Sequence, residues 1–198
     1  MQVRSVSFDS SFLLHYKPEI DSVIKLLSHD NIPCFITRTV VSELEQLKVY
    51  GRISEYDYKK ALYRWKKAKA IVIDFKNRLL SDTFGKQCMK SMEEYHGAES
   101  KHIANDCKIL VSNLKNGIDI FLSEDYHFTS RITKEVIKDV KSVACKEFHQ
   151  MCDSFMYSID SITFLKAYKN GFIDLDIIES NLRDIRKKGK TLFDRKDY

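Results

Sequence analysis

Four acidic residues of this chain stand where a carboxylate is costly unless it binds something. Asp9 interrupts the stretch "SVSFDSSFLL", where an apolar strand runs out into a loop and an unpaired charge is penalised. Asp125 stands in the same relation to a second apolar run, "IFLSED". Glu43 in "VVSELEQL" lies beside the apolar stripe of Val40, Leu44 and Leu47. Asp106 in "HIANDCKIL" lies one turn from both Ile103 and Leu110. At helical spacing both acids point toward the core side of their elements, and Glu99, seven residues before Asp106, shares its side. Carboxylates gathered at one place repel, and they would not all ionise without a cation. Oxygen donors of this kind select a hard divalent metal.

The elements that must position these acids alternate. "VRSVSFD" reads as a strand and "EIDSVIKLLSHD" as a helix, with Ile20, Val23, Ile24 and Leu27 on one face. "IPCFI" is a short strand. A helix over Val40 to Val49 follows, with Thr37 or Thr39 as its cap. Glu55 to Lys69 form a second, very basic helix, and "AIVIDF" is either a strand or more helix. A longer helix spans Ala98 to Leu114, before the apolar run "IDIFLSED"; "VKSVAC" is a further candidate strand. Beyond Ser154 only helical patterns appear, stopping at Gly171 and Gly189. Strands separated by helices favour an α/β fold, with a central, mostly parallel sheet and helices on both faces. In such sheets ligands bind at the carboxyl ends of the strands, where Asp9 and Asp125 fall.

Composition is that of an ordinary globular chain. Of 198 residues, 43% are hydrophobic and 31% charged, and the 2 Pro and 6 Gly form no linker. The length suits one sizeable core, here expected as residues 1–153 with a helical extension, 154–198, packed on the same unit. No apolar run approaches a membrane span, and Asp9 and His15 break any signal-peptide pattern in the first twenty residues. Five cysteines without a CxxC pair argue against a disulfide framework and for buried thiols in a reducing, cytoplasmic compartment. Cys145, His149 and Cys152 are spaced like a metal corner, but thiols acting as small hydrophobes are the commoner case. A net charge of +5 is compatible with a polyanionic partner.

In order and position, "SFDSSFLL", "VVSELEQL", "NDCKILV" and "FLSEDYHF" resemble the acidic motifs of the PIN-domain ribonucleases, which include the VapC-type toxins and RNA-processing enzymes. Asp9-Ser10-Ser11 matches the first motif, Glu43 the second, Asp106 with Ile109 the third, and Ser123, Asp125 and Phe128 the fourth. The likeness covers roughly residues 3 to 150. Two departures stand out: His127 replaces the second acid of the last motif, and Glu124 adds one before Asp125.

The resemblance implies a three-layer α/β/α fold and a Mg²⁺- or Mn²⁺-dependent endoribonuclease acting on single-stranded or structured RNA. Asp9, Asp106 and Asp125 would be metal ligands, with Glu43 holding a water or second metal and Glu99 nearby. Ser10 and Ser123 would supply hydrogen bonds within the site. An antitoxin protein and a homodimer are partners that such a protein would have. A structure-specific DNA nuclease and a non-catalytic RNA-binding or scaffold module are the alternatives. For the substrate, "YDYKKALYRWKKAK" sets Lys59, Lys60, Arg64, Lys66, Lys67 and Lys69 among Tyr58, Tyr63 and Trp65. Cations suit phosphates, and aromatic faces suit unstacked bases. The tail "LRDIRKKGKTLFDRK" is basic as well.

Overall fold

A computed structural model of the chain describes residues 1–96 and 100–182. Five short strands form one parallel sheet: β1 (Val6–Phe8), β2 (Cys34–Thr37), β3 (Ile71–Ile73), β4 (Ile120–Leu122) and β5 (Tyr157–Ile159). Their spatial order is β3-β2-β1-β4-β5. The registers align Phe8 with Ile36 on one side and with Leu122 on the other, so the carboxyl ends of β1, β2 and β4 lie level.

Helices fill the crossovers. Between β1 and β3 lie α1 (Ser10–Leu14), α2 (Pro18–His29), α3 (Arg38–Val49) and α4 (Glu55–Lys67). Between β3 and β5 lie α5 (Arg78–His96), α6 (Ser100–Lys115) and α7 (Arg131–Phe148). The chain moves outward from β1 to β3, then restarts beside β1 and moves the other way. Right-handed crossovers therefore put the first four helices on one face and the next three on the other. Packing agrees: α1 lies on α4, while α5 packs against both α6 and α7. Phe8 stacks on Phe12 of α1 at 5.2 Å, and Phe121 meets Phe128 edge-on at 5.0 Å, so each face has an aromatic seam. Ser7 and Ser158 flank Phe121 in register, and their small side chains leave its ring room.

Several expectations change. "VKSVAC" is no strand but the middle of α7, whose buried Val136, Ile137, Val140 and Ala144 recur at helical spacing. The segment after Ser154 is not purely helical: β5 completes the central sheet there. A division at 153/154 therefore cuts through a single sheet. Beyond β5, α8 (Ser161–Ala167) and α9 (Leu175–Asn181) enclose a hairpin of β6 (Tyr168–Lys169) and β7 (Phe172–Ile173). Gly171 turns that hairpin at φ 83°, a conformation glycine adopts without strain. Gly189 and most of the basic tail lie outside the described residues.

The cysteines also differ from expectation. Cys88 pairs with Cys107 and Cys145 with Cys152, at Cα separations of 5.5 and 4.8 Å, both within the range a disulfide requires. Only Cys34 is free; it is buried, and desolvation pushes its thiol up to about 12. Neither bridge has CxxC spacing. The first joins two helices, a pairing that only the fold brings together.

Among the described residues no helix is long and apolar enough to cross a membrane.

Candidate functional site

The strand order reverses between β1 and β4, where one crossover leaves in each direction. A crevice opens at such a point, outside the carboxyl ends of the two strands. Asp9 follows β1, and Ser123, Glu124 and Asp125 follow β4.

Asp9 is only 3% exposed. It is the N-cap of α1, accepting from the Ser11 N–H at 3.3 Å, as Asp does readily at that position. The Ser11 and Ser123 hydroxyls donate to the same oxygen, Oδ2, at 2.6 and 3.0 Å. All three contacts fall on Oδ2, so Oδ1 is left for another ligand. Burial, then the charge of Glu43, then that of Asp125 push the Asp9 carboxyl up to about 7, against the pull of the two hydroxyls. Glu43 reaches the site from α3, where Ser10 donates to its Oε2 at 2.8 Å. Thr37 caps that helix by accepting from Val40 N.

Ser11 belongs to the first motif but has no role assigned to it there. Its Oγ lies 3.0 Å from Ser123 Oγ and accepts from the backbone N–H groups of Glu124 and Asp125, at 3.0 and 3.1 Å. One hydroxyl thus ties the ends of β1 and β4 together. The only hint in the sequence was the doubled serine after Asp9, of which either could have faced the acid. Asp125 folds back on its own loop, where the His127 N–H donates to Oδ1 at 2.9 Å.

Glu124, the extra acid, has a different task. Its side chain is 1% exposed, salt-bridged to Lys17, and accepts from Ser161 N at the start of α8 at 3.0 Å. It joins three elements and is not directed at the crevice.

Asp106 is half-buried on α6, and its neighbours Ile103 and Leu110 are buried, so it keeps the inward side expected of it. Next to it, Asn105 and Lys108 line an open cleft of about 230 Å³ whose opposite wall is Glu43 and other α3 residues. Asp9, Glu43, Asp125, Ser10 and Ser123 are therefore brought together, with Asp106 on the helix facing Glu43. Glu99 lies outside the described residues. Among those residues no three His, Cys, Asp or Glu side chains stand gathered tightly enough to hold an ion.

The basic helix α4 divides into two faces. Arg64 is 1% exposed and cannot reach a phosphate. It grips both oxygens of Asp21 at 3.0 Å and donates to the carbonyls of Leu13 and His15 at 2.9 and 2.6 Å. Those are the open carbonyls at the end of α1, so Arg64 anchors the short helix that begins at Asp9. Trp65 is half-buried and donates from Nε1 to Ala70 O at 2.7 Å, closing the end of its own helix. Arg64 therefore departs from its expected role in RNA binding, while half-buried Trp65 packs against the core. Ala61 and Ala68 share the face of Arg64, three residues before and four after, and that spacing signalled an inward arginine. Lys59, Lys66 and Lys67 are exposed, while Lys60 lies over the Tyr16 ring at 3.6 Å.

No protein-family model matches this chain, and neither does any curated protein or solved structure.

Proposed function

We propose that the protein is a metal-dependent endoribonuclease of the PIN-domain kind. The observation that carries this reading is Asp9: a buried carboxylate at the strand-order reversal, held by hydroxyls, facing two further acids and contacted by no cation among the described residues. Such an arrangement costs stability, and a bound divalent ion would offset it.

The donor set fits such an ion. Asp9 Oδ1, Asp125 and Asp106 offer hard oxygen ligands, with Glu43 beside them, whereas zinc would favour nitrogen and sulfur. Mg²⁺ or Mn²⁺ bound there supplies positive charge and acidifies water next to a phosphodiester. The chain's own part is positioning. Ser11 and Ser123 fix Asp9 and the β4 loop as one unit, and Ser10 fixes Glu43. Arg64 holds α1 from behind.

The test is cleavage of a single-stranded RNA with Mg²⁺ or Mn²⁺, before and after chelation, by the parent protein and by Asp9→Asn. The reading expects cleavage that chelator abolishes and that Asp9→Asn lacks. Full cleavage in excess chelator would overturn it.

A further inference from the structure

The cleft adjoins the Asp9 crevice and shares Glu43 with it. It lies along the carboxyl edge of the sheet in the direction of β3. Arg38 is the first residue after β2 and Asp74 the first after β3; since Thr37 pairs with Ile73, the two stand side by side. From Asp9 to Asp74 is two strand spacings, about 10 Å. All eight residues lining the cleft are polar or charged, so it does not suit an apolar ligand. At about 230 Å³ it falls below the roughly 300 Å³ at which pockets for larger ligands begin.

Each helical wall carries one cation and one amide. Arg38 and Lys108 bring cations from α3 and α6, and Gln46 and Asn105 bring amides from the same two helices. Asp74 engages Arg38 at one nitrogen, Nε, at 3.3 Å, and both side chains are more than half exposed. A surface pair of this kind is weak and exchanges readily for a phosphate. Amide side chains offer a donor and an acceptor together, which is what the edge of an unstacked base requires.

We propose that this cleft seats the nucleotide flanking the scissile phosphodiester of a single-stranded RNA. Arg38 and Lys108 hold its phosphate, and Gln46 and Asn105 face its base. The inference rests on the ribonuclease reading and adds to it a choice of cleavage position: the amides would favour one base at this place, and the cations would grip every sequence alike.

Binding of a labelled single-stranded oligoribonucleotide to Asp9→Asn protein, measured across salt concentrations, separates the two roles without catalysis. Adding Lys108→Ala should remove one phosphate contact, flattening the log–log salt slope by roughly 0.7, which amounts to about a fivefold change over a tenfold range of salt. Arg38→Ala should do the same. Asn105→Ala should leave the slope unchanged and, in otherwise parental protein, even out cleavage among RNAs that differ at one position beside the cut. All three side chains line an open cleft, so melting temperatures should match the parent, and a matched melt confirms that any loss is one of binding. Unchanged affinity and slope in both the Arg38 and Lys108 variants would overturn the proposal while leaving the nuclease intact. The reverse outcome, a flattened slope in a protein that cleaves nothing, would keep the cleft as a nucleotide site and remove the nuclease reading.

Discussion

Asp9 and Asp119 are both buried, at 3% and 1% exposure, and both belong to the central strand pair. Asp119 immediately precedes β4 and Asp9 immediately follows β1, so in a parallel pair they sit at opposite edges. Asp119 is fully answered. Arg4 donates to it from its backbone N–H at 2.7 Å and from its guanidinium at 3.3 and 2.9 Å. Asp9 receives two hydroxyls, one N–H and the fields of two more acids. The amino edge compensates its charge and the carboxyl edge concentrates it. A sheet built only for stability would treat both edges like the first, so the second is where a ligand belongs.

The sharpest way to break this contrast is Asp9→Asn. Cleavage should fall at least about 100-fold, since even residues behind metal ligands cost 10- to 100-fold when changed. Stability should move the other way. The folded protein holds the Asp9 proton up to about pH 7, against an ordinary value of 3.8, so protonation favours folding. That contribution is complete below pH 3.8 and is lost as the pH rises through 7. The difference corresponds to up to about 4 kcal/mol. Asparagine keeps the neutral form and the cap, so at pH 8 without metal the variant should melt above the parent. Mg²⁺ should raise the melting temperature of the parent alone. Superimposable melting profiles from pH 5 to 8 would show that Asp9 is as well compensated as Asp119.

Arg64→Ala should come next. It leaves the buried Leu13 carbonyl and the part-buried His15 carbonyl without that donor and a cavity behind α1, at a cost of about 3 kcal/mol or more. Its neighbour Lys66→Ala, on the outer face of the same helix, should stay within about 0.5 kcal/mol. Equal chemical denaturation midpoints for the two would mean that the guanidinium anchors nothing.

Asp119→Ala is the counterpart of Asp9→Asn. It should lower stability by about 2 kcal/mol, with the cleavage rate unchanged at temperatures where the protein is folded. A loss of rate in folded Asp119→Ala protein would erase the distinction between the two edges.

A smaller effect than that of Asp119→Ala should come from Lys17→Ala. It removes the partner of a carboxylate whose side chain is 1% exposed, but the lysine itself is 28% exposed and already partly screened. About 1 kcal/mol is expected, measured as a shift in denaturant midpoint.

The sheet and the site differ in how far the sequence revealed them. Val6, Phe8, Ile120 and Leu122 announce buried parallel strands by their apolar runs, and the acids stand out against those runs. The three-residue strand at Tyr157–Ile159 lies in a segment whose longer pattern is helical, and only pairing with β4 decides its state. "VKSVAC" misleads for the converse reason, because a short apolar run cannot tell a strand from one turn of a long helix. The hub at Ser11 depends on two loops 113 residues apart in sequence, a closeness that no local pattern encodes. Arg64 looked like a ligand for phosphate because charge usually marks surface, and four hydrogen bonds overrode that tendency.

The way the ends of the described fold meet has a consequence for its birth. Val3 N donates to Gly171 O and Ile173 N to Met1 O, so the chain's opening residues are held by a hairpin made late. Asp9 itself waits for Ser123, 114 residues on. At the ribosome's pace of 5–20 residues per second, roughly 6 to 23 s separate the two. During that interval β1 has emerged without one of its neighbours, and its carboxylate is still bathed in water. The acidic crevice does not exist on a nascent chain until Ser123 and its loop have followed Asp9 out of the ribosome. A cell producing this protein therefore meets the assembled site only after that interval has passed.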